Sequence, residues 1–323
     1  MRLRQLSNYV ALGAAAIFAV AALGACSSSK SSSSGSSGGG GSESITLGSA
    51  NFPESTIIAY MYYDALKAVG VKVNIKPNIG AREVYMKALV NKEIDAVPEY
   101  VSTVAEYWNT QINGKDASTN SPVASTDAQA TYTKLKALVA PKGLSVGPPS
   151  PAADQNAFAV TKDFADKNGL KTLSDLAKLN GKIVLGAGPE CATRPFCEPG
   201  LQKTYGLKFK SLKTFASPGG ADTYAALKDN TIQLGLVFSS DGGVAANNLV
   251  VLDDDKHLQQ ADNIIWMGLT SKMSQKVQDV LNKVNAALTT SDLQGLNKQV
   301  GIDHADPHKV ATQWVKDHNL GNS

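Results

Sequence analysis

The chain has little with which to do chemistry. Three cysteines and four histidines are spread over 323 residues. The histidines, His257, His304, His308 and His318, all fall late; His304 and His308 are four apart, but Pro307 stands between them and would interrupt a helix. No metal site and no cofactor are expected from that set. There is no Gly-x-Ser-x-Gly elbow, no phosphate-binding loop and no Ser/His/Asp arrangement that can be placed, so the reading is not an enzyme. Charge of one sign is scarce too: the formal net charge is +3 and no Lys/Arg-rich run stands out, which argues against a nucleic-acid partner. Beyond residue 23, no apolar run is long enough to cross a bilayer.

What is present begins with Arg2 and Arg4, then an apolar, Ala-rich stretch from Val10 to Leu23, too short for a comfortable span. It ends in Leu23-Gly24-Ala25-Cys26. Small residues before a cysteine resemble a bacterial lipoprotein signal. That resemblance implies that residues 1–25 are removed and Cys26 is lipidated, the alternative being a plain secretory signal with an incidental cysteine. Residues 26–44 are nearly all Ser and Gly and read as a flexible tether, spanning roughly 20–25 Å on average. The expected location is therefore the outer face of the cytoplasmic membrane, with a globular body on a short lipid-anchored leash.

The body, from Ile45 to Ser323, is long enough for two lobes. Its organising feature is a unit used twice. Ala88-Leu89 through Ile94, Tyr100, Ser102 and Thr103 matches Ala226-Leu227 through Ile232, Phe238, Ser240 and Asp241 at one fixed offset. Each unit reads as helix, buried strand, then an aromatic and hydroxyls; Pro98 is expected to stop the first strand. Groups just past the carboxyl end of a strand sit where open α/β sheets bind ligands. Ile45 to Ser49 alternates as a strand, and Asn51-Phe52-Pro53-Glu54-Ser55 opens a helix whose free N–H groups would suit a carboxylate. The expected fold is α/β, with lobe I over residues 45–153, lobe II over 154–240 and a return to lobe I over 241–323. Crossings near Ala153 and Ser240 imply a two-strand hinge on which the lobes close. Cys191 and Cys197, in an export context, are expected to pair as a structural disulfide contributing roughly 2–3 kcal/mol; a redox pair is the rival, though the spacing is not Cys-x-x-Cys.

The runs Gly48-Ser49-Ala50-Asn51-Phe52-Pro53-Glu54, Pro98-Glu99-Tyr100-Val101-Ser102-Thr103 and Phe238-Ser239-Ser240-Asp241 resemble the solute-binding proteins of osmoprotectant ABC importers, which take glycine betaine, choline, carnitine and related quaternary ammonium compounds. The resemblance implies a type II periplasmic-binding-protein bilobe, monomeric, without a cofactor, that delivers its ligand to ABC permease subunits. Carried over by motif, Tyr100 and Thr103 fall on a cage tyrosine and a carboxylate-binding threonine. Asn156 and Phe158 fall on a polar and an aromatic cage position, and Arg194 on the arginine that closes onto the carboxylate. Phe238 falls on another cage tyrosine, and Trp266 near a late cage aromatic. A quaternary ammonium has no N–H to donate, so aromatic faces must hold it, at about 0.5–2 kcal/mol per ring. This chain departs from the pattern at Ala50, where many relatives carry a polar or basic residue, and at Phe158 and Phe238, which lack the phenol hydroxyl. Carboxylate anchoring is thinner as a result. Two rival functions stay open: an amino-acid importer, with Glu99, Asp154, Glu190 or Asp241 meeting the α-amino group, and an exported thiol/disulfide enzyme using Cys191 and Cys197.

Overall fold

The computed structural model describes residues 44–320. The expected signal peptide, Cys26 and the tether up to residue 43 lie outside the described residues.

Alternation makes the first strand. In β1 (Ser44–Gly48), Ile45 and Leu47 are fully buried. Pro53 then fixes the first turn of α1 (Pro53–Ala68), whose Ile57, Ile58, Met61, Tyr62, Ala65 and Leu66 form the buried face. Gly70, at φ 81°, turns the chain into β2 (Lys72–Lys76). There follow α2 (Arg82–Val90), β3 (Ala96–Tyr100), α3 (Val101–Asn113), α4 (Ala117–Asn120), α5 (Ala128–Val139) and β4 (Leu144–Val146). The second stretch holds β5 (Asn156–Thr161), α6 (Lys162–Asn168), β6 (Val184–Ala187), α7 (Glu198–Tyr205), β7 (Ser211–Thr214), α8 (Ala221–Lys228), β8 (Leu234–Phe238), α9 (Gly243–Ala246) and β9 (Leu249–Val251). The chain ends with β10 (Ile264–Leu269), α10 (Gln275–Ala287), α11 (Thr290–Gly301) and α12 (Pro307–Asp317).

These strands form two five-stranded sheets of one topology. The orders are β2-β1-β3-β10-β4 and β7-β6-β8-β5-β9, with β10 and β5 the antiparallel fourth members. The repeated unit therefore supplies the central strand of each sheet, β3 in one and β8 in the other, and Tyr100 and Phe238 end equivalent strands. Each sheet is packed on both faces by apolar clusters.

Two expectations change. Pro98 does not stop β3, which runs on to Tyr100. Pairing with β1 has already ended at Ala96, so a residue without an N–H forfeits no ladder bond there. The return crossing is not at Ser240. β9 pairs with β5 inside the second sheet, Val250 opposite Val160, because the open edge of β5 accepts this apolar run. The chain comes back at residues 261–263, where Ala153 bridges Asn263 and the Asp154 N–H donates to the Asp262 carbonyl at 3.0 Å. Ser239 and Ser240 do lie against the first crossing, the Ser239 N–H donating to the Gln155 carbonyl at 2.9 Å.

Candidate functional site

A cleft between the two sheets encloses a cavity of about 550 Å³. Three aromatic rings bridge it. Phe52, at the N-terminus of α1, lies 6.1 Å from the Tyr100 ring and 6.0 Å from Phe238, stacked at 17° on the latter. Tyr100 is buried, while Phe52 and Phe238 are half-buried. One wall is thus built from both lobes, and Phe52 joins two rings that the repeat had already singled out.

Of the seven residues expected at the ligand, Tyr100, Thr103, Asn156, Arg194 and Phe238 line this cavity. Phe158 and Trp266 do not. Phe158 is 1 % exposed and packs in the same cluster as Cys191 and Cys197. It lies on the same strand face as Asn156 but two residues, about 7 Å, farther from the cleft edge. Trp266 is also 1 % exposed, with its indole N–H donating to Asn282 Oδ1 at 2.8 Å. Gly147 makes room for it, since a Cβ there would stand 2.1 Å from the indole nitrogen. Cys191 and Cys197 are disulfide-bonded, as expected, and hold the loop that carries Arg194 against the cavity.

The polar groups expected to hold a carboxylate are largely engaged within the protein. Arg82 forks onto buried Glu99 through Nε and Nη2, at 2.9 and 2.8 Å, and Nη2 also donates to Thr103 Oγ1 at 2.8 Å. Tyr85 donates to the same glutamate at 2.7 Å. Arg194 reaches across the cleft to Glu83, at 3.3 Å, and to Glu190 on its own loop, at 3.6 Å. The Ala50 and Asn51 N–H groups, in the turn before α1, donate to Ser55 Oγ and the Gly80 carbonyl. The Asn51 side chain bridges to the Ala216 carbonyl of the other lobe at 2.9 Å. The remaining basic lining residue, Lys115, is exposed at the rim.

The negative groups are several and deep. Glu54 accepts from Tyr100 Oη at 2.7 Å, Ser240 Oγ at 2.5 Å and Asn297 Nδ2 at 2.6 Å. So the Tyr100 hydroxyl serves a buried carboxylate. Asp262 accepts the Ser102 and Thr103 N–H groups at the start of α3, at 2.8 and 3.1 Å. Burial nonetheless pushes its pKa up to about 7, against the pull of nearby Arg82. Burial, and then the charge of Glu54, hold Asp154 well above the usual carboxylate range. Sequence reasoning assigned no cleft role to Phe52, Arg82 or Asp262. Phe52 sat inside a motif read as a helix start and as part of the family resemblance, with no role of its own. Arg82 and Glu99 are an unremarkable pair until the fold brings them together. Chemically, the cavity offers aromatic faces and acidic groups to a cation, and few uncommitted donors to an anion.

Comparison with known proteins agrees in fold and in family. Residues 43–317 match the family model OpuAC, the substrate binding domain of ABC-type glycine betaine transport systems. The glycine betaine-binding protein YehZ of Escherichia coli (strain K12) is 27% identical over 284 residues, covering 84% of this chain and 90% of that protein. The carnitine transport binding protein OpuCC of Listeria monocytogenes serotype 1/2a (strain 10403S) is 26% identical over 288 residues, covering 86% and 87%. Among solved structures, a glycine betaine/carnitine/choline ABC transporter protein aligns with TM-score 0.64 at 24% identity, over 86% of this chain and all (100%) of that one. The fold is the two-lobe type II arrangement of periplasmic binding proteins.

Proposed function

Because the chain belongs to the OpuAC family, the substrate-binding domains of ABC-type glycine betaine transport systems, we propose that its cleft captures a small quaternary ammonium compound and hands it to an ABC permease. The ligand's cationic head rests on Phe52, Tyr100 and Phe238, and its other end points toward Asn156 and Arg194 on lobe II. The observation that carries this reading is the row of three rings joining both lobes in a cleft whose arginines are already paired. Aromatic faces suit a cation with no N–H to offer. Closure of the two lobes about the hinge shields the ligand and presents a docking face made from both. Cys26 carries the lipid that keeps the protein at the outer face of the cytoplasmic membrane, and the protein works as a monomer.

The same geometry bears on which compound is taken. A ligand carboxylate would have to displace Glu83 from Arg194, whereas a neutral hydroxyl tail would not. The cleft therefore favours a choline-like ligand over glycine betaine. Calorimetric titration with choline, carnitine, glycine betaine and a set of α-amino acids tests this. Choline binding most tightly supports it. An amino acid binding while every quaternary compound fails would overturn it and favour the amino-acid importer, for which buried Asp154 beside the cavity is the supporting observation.

A further inference from the structure

The two crossings bring together two aspartates in matching places. Ser102 and Ser240 are equivalent residues of the repeated unit, one place beyond the residue that follows each ring. The Ser102 N–H donates to Asp262 on the return crossing at 2.8 Å, and the Ser240 N–H donates to Asp154 on the first crossing at 3.0 Å. Their surroundings differ. Asp262 has two N–H donors and the Arg82 guanidinium near it. Asp154 has a single N–H donor, is 5 % exposed, and borders both the ligand cavity and a second cavity of about 310 Å³ on the other side of the Phe52–Phe238 pair. Ser240 ties it to another buried carboxyl, Glu54, to which the Ser240 hydroxyl donates at 2.5 Å.

We infer that Asp154 is the counter-ion of the bound cation, and that ligand binding drives a proton off the Asp154–Glu54 pair. This rests on the reading that the cleft takes a quaternary ammonium compound. The groups around Asp154 carry no fixed positive charge. Glu54 faces it from α1, Tyr100 from β3 and Asp262 from the return crossing. Along the second cavity stand Asp241, Asp222 and His304, of which only exposed His304 can become positive. Two adjacent buried carboxyls without a cation cannot both ionise, so the empty site keeps a proton between them. Glu54, with donors from three residues, holds the negative charge better; Asp154, served by Ser240 alone, holds the proton. A trimethylammonium head against Tyr100 and Phe238 supplies the missing charge. The carboxyl O–H then breaks, the proton passes to solvent, and the Asp154 carboxylate remains facing the cation, with no electrons transferred.

The test is titration of the purified protein with choline in two buffers of different ionisation enthalpy, near neutral pH. The buffer dependence of the heat counts protons. We expect release of a fraction of a proton up to one, and choline affinity that rises with pH. Asp154→Asn should abolish the release, flatten the pH dependence and weaken binding by about tenfold or more, since an opposite charge at this range shifts a carboxyl by about one to three pKa units and the coupling is reciprocal. Asp262 also titrates near neutrality, so release that survives in Asp154→Asn comes from elsewhere and overturns the assignment, as does no release in the wild type. Should Asp154→Asn lose its thermal transition, Glu54→Gln decides. With Glu54 neutral, Asp154 is held up by burial and Asp262 alone, so release moves to lower pH and shrinks near neutrality while choline affinity at low pH rises; release with an unchanged pH dependence contradicts the inference. If choline, glycine betaine and tetramethylammonium all give no heat, the quaternary-ammonium reading fails and this inference with it.

Discussion

The two jaws of the cleft share a topology and differ in chemistry. On lobe I, the strand that ends in Tyr100 is locked by a buried polar network: Arg82 to Glu99 and Thr103, Tyr85 to Glu99, Tyr100 to Glu54. On lobe II, the equivalent strand ends in a bare phenyl ring at Phe238. Val237 takes the place of Glu99, and Asp241 that of Thr103, accepting from Tyr224. One jaw is a rigid polar scaffold with its ring fixed by a hydrogen bond; the other is an apolar ring set by packing alone. Sequence symmetry thus sets where the jaws are, and asymmetric substitution within it puts the buried ion pair on lobe I. The ligand therefore meets a preorganised ring on one side and an adjustable one on the other.

The contrast predicts that lobe I is the fragile jaw. Arg82→Ala strands Glu99, which is 0 % exposed, and an unpaired buried charge of this kind costs about 3–5 kcal/mol. Urea denaturation should show that loss, with the lobe I melt shifted well below that of the wild type. A loss under about 1 kcal/mol would mean that the scaffold is not held by its ion pair.

The hinge aspartates make the jaws pH-sensitive in one direction. Asp262 ionises far less readily folded, at about 7, than unfolded. Its stabilising contribution is full below the unfolded carboxylate range, about pH 4, and is lost as pH climbs through about 7. Asp154 is raised in the same sense and adds to the decline. The ligand-free protein should accordingly melt at lower temperature at about pH 8 than at about pH 5, and Asp262→Asn should flatten part of that slope. A melting temperature that climbs over this range would contradict the burial of both groups.

For the ligand, Tyr100→Ala should weaken choline binding more than tenfold, as about one desolvated ring contact would. Tyr100→Phe sharpens the comparison. The hydroxyl faces Glu54, not the cavity's ligand, so its removal should cost about 1 kcal/mol of stability and change affinity by much less than Tyr100→Ala does. Equal losses in the two variants would return the hydroxyl to the ligand.

Much of this architecture is legible in the sequence because it is local or repeated. Alternation in Ile45–Leu47, the proline start of α1 and the doubled unit at Tyr100 and Phe238 each depend on neighbours a few residues away. The disulfide follows from two cysteines in one short loop. What was not legible depends on tertiary geometry. Leu249–Val251 is an apolar run that could pair with either sheet, and only the open edge of β5 decides it. Phe158 and Phe238 look alike in sequence; their different depths relative to the cleft edge make one core and the other wall. Asp154 and Asp262 are single aspartates outside any motif, and their pairing with Ser240 and Ser102 exists only once both crossings are formed.

The smallest effect tests the ion pair that joins the jaws. Arg194 and Glu83 meet across the cleft with side chains 30 % and 47 % exposed, so solvent screens them, and such pairs contribute about 0.2–1 kcal/mol. Glu83→Ala should scarcely alter the melting temperature. Its effect belongs to selectivity: with Arg194 freed, a ligand carboxylate can occupy the guanidinium that Glu83 now holds. Glycine betaine should then gain severalfold in affinity while choline, having no carboxylate, does not. Calorimetry with the two ligands on one variant reads that difference directly. Parallel changes for both would show that Glu83 acts on closure of the lobes and not on the choice of ligand.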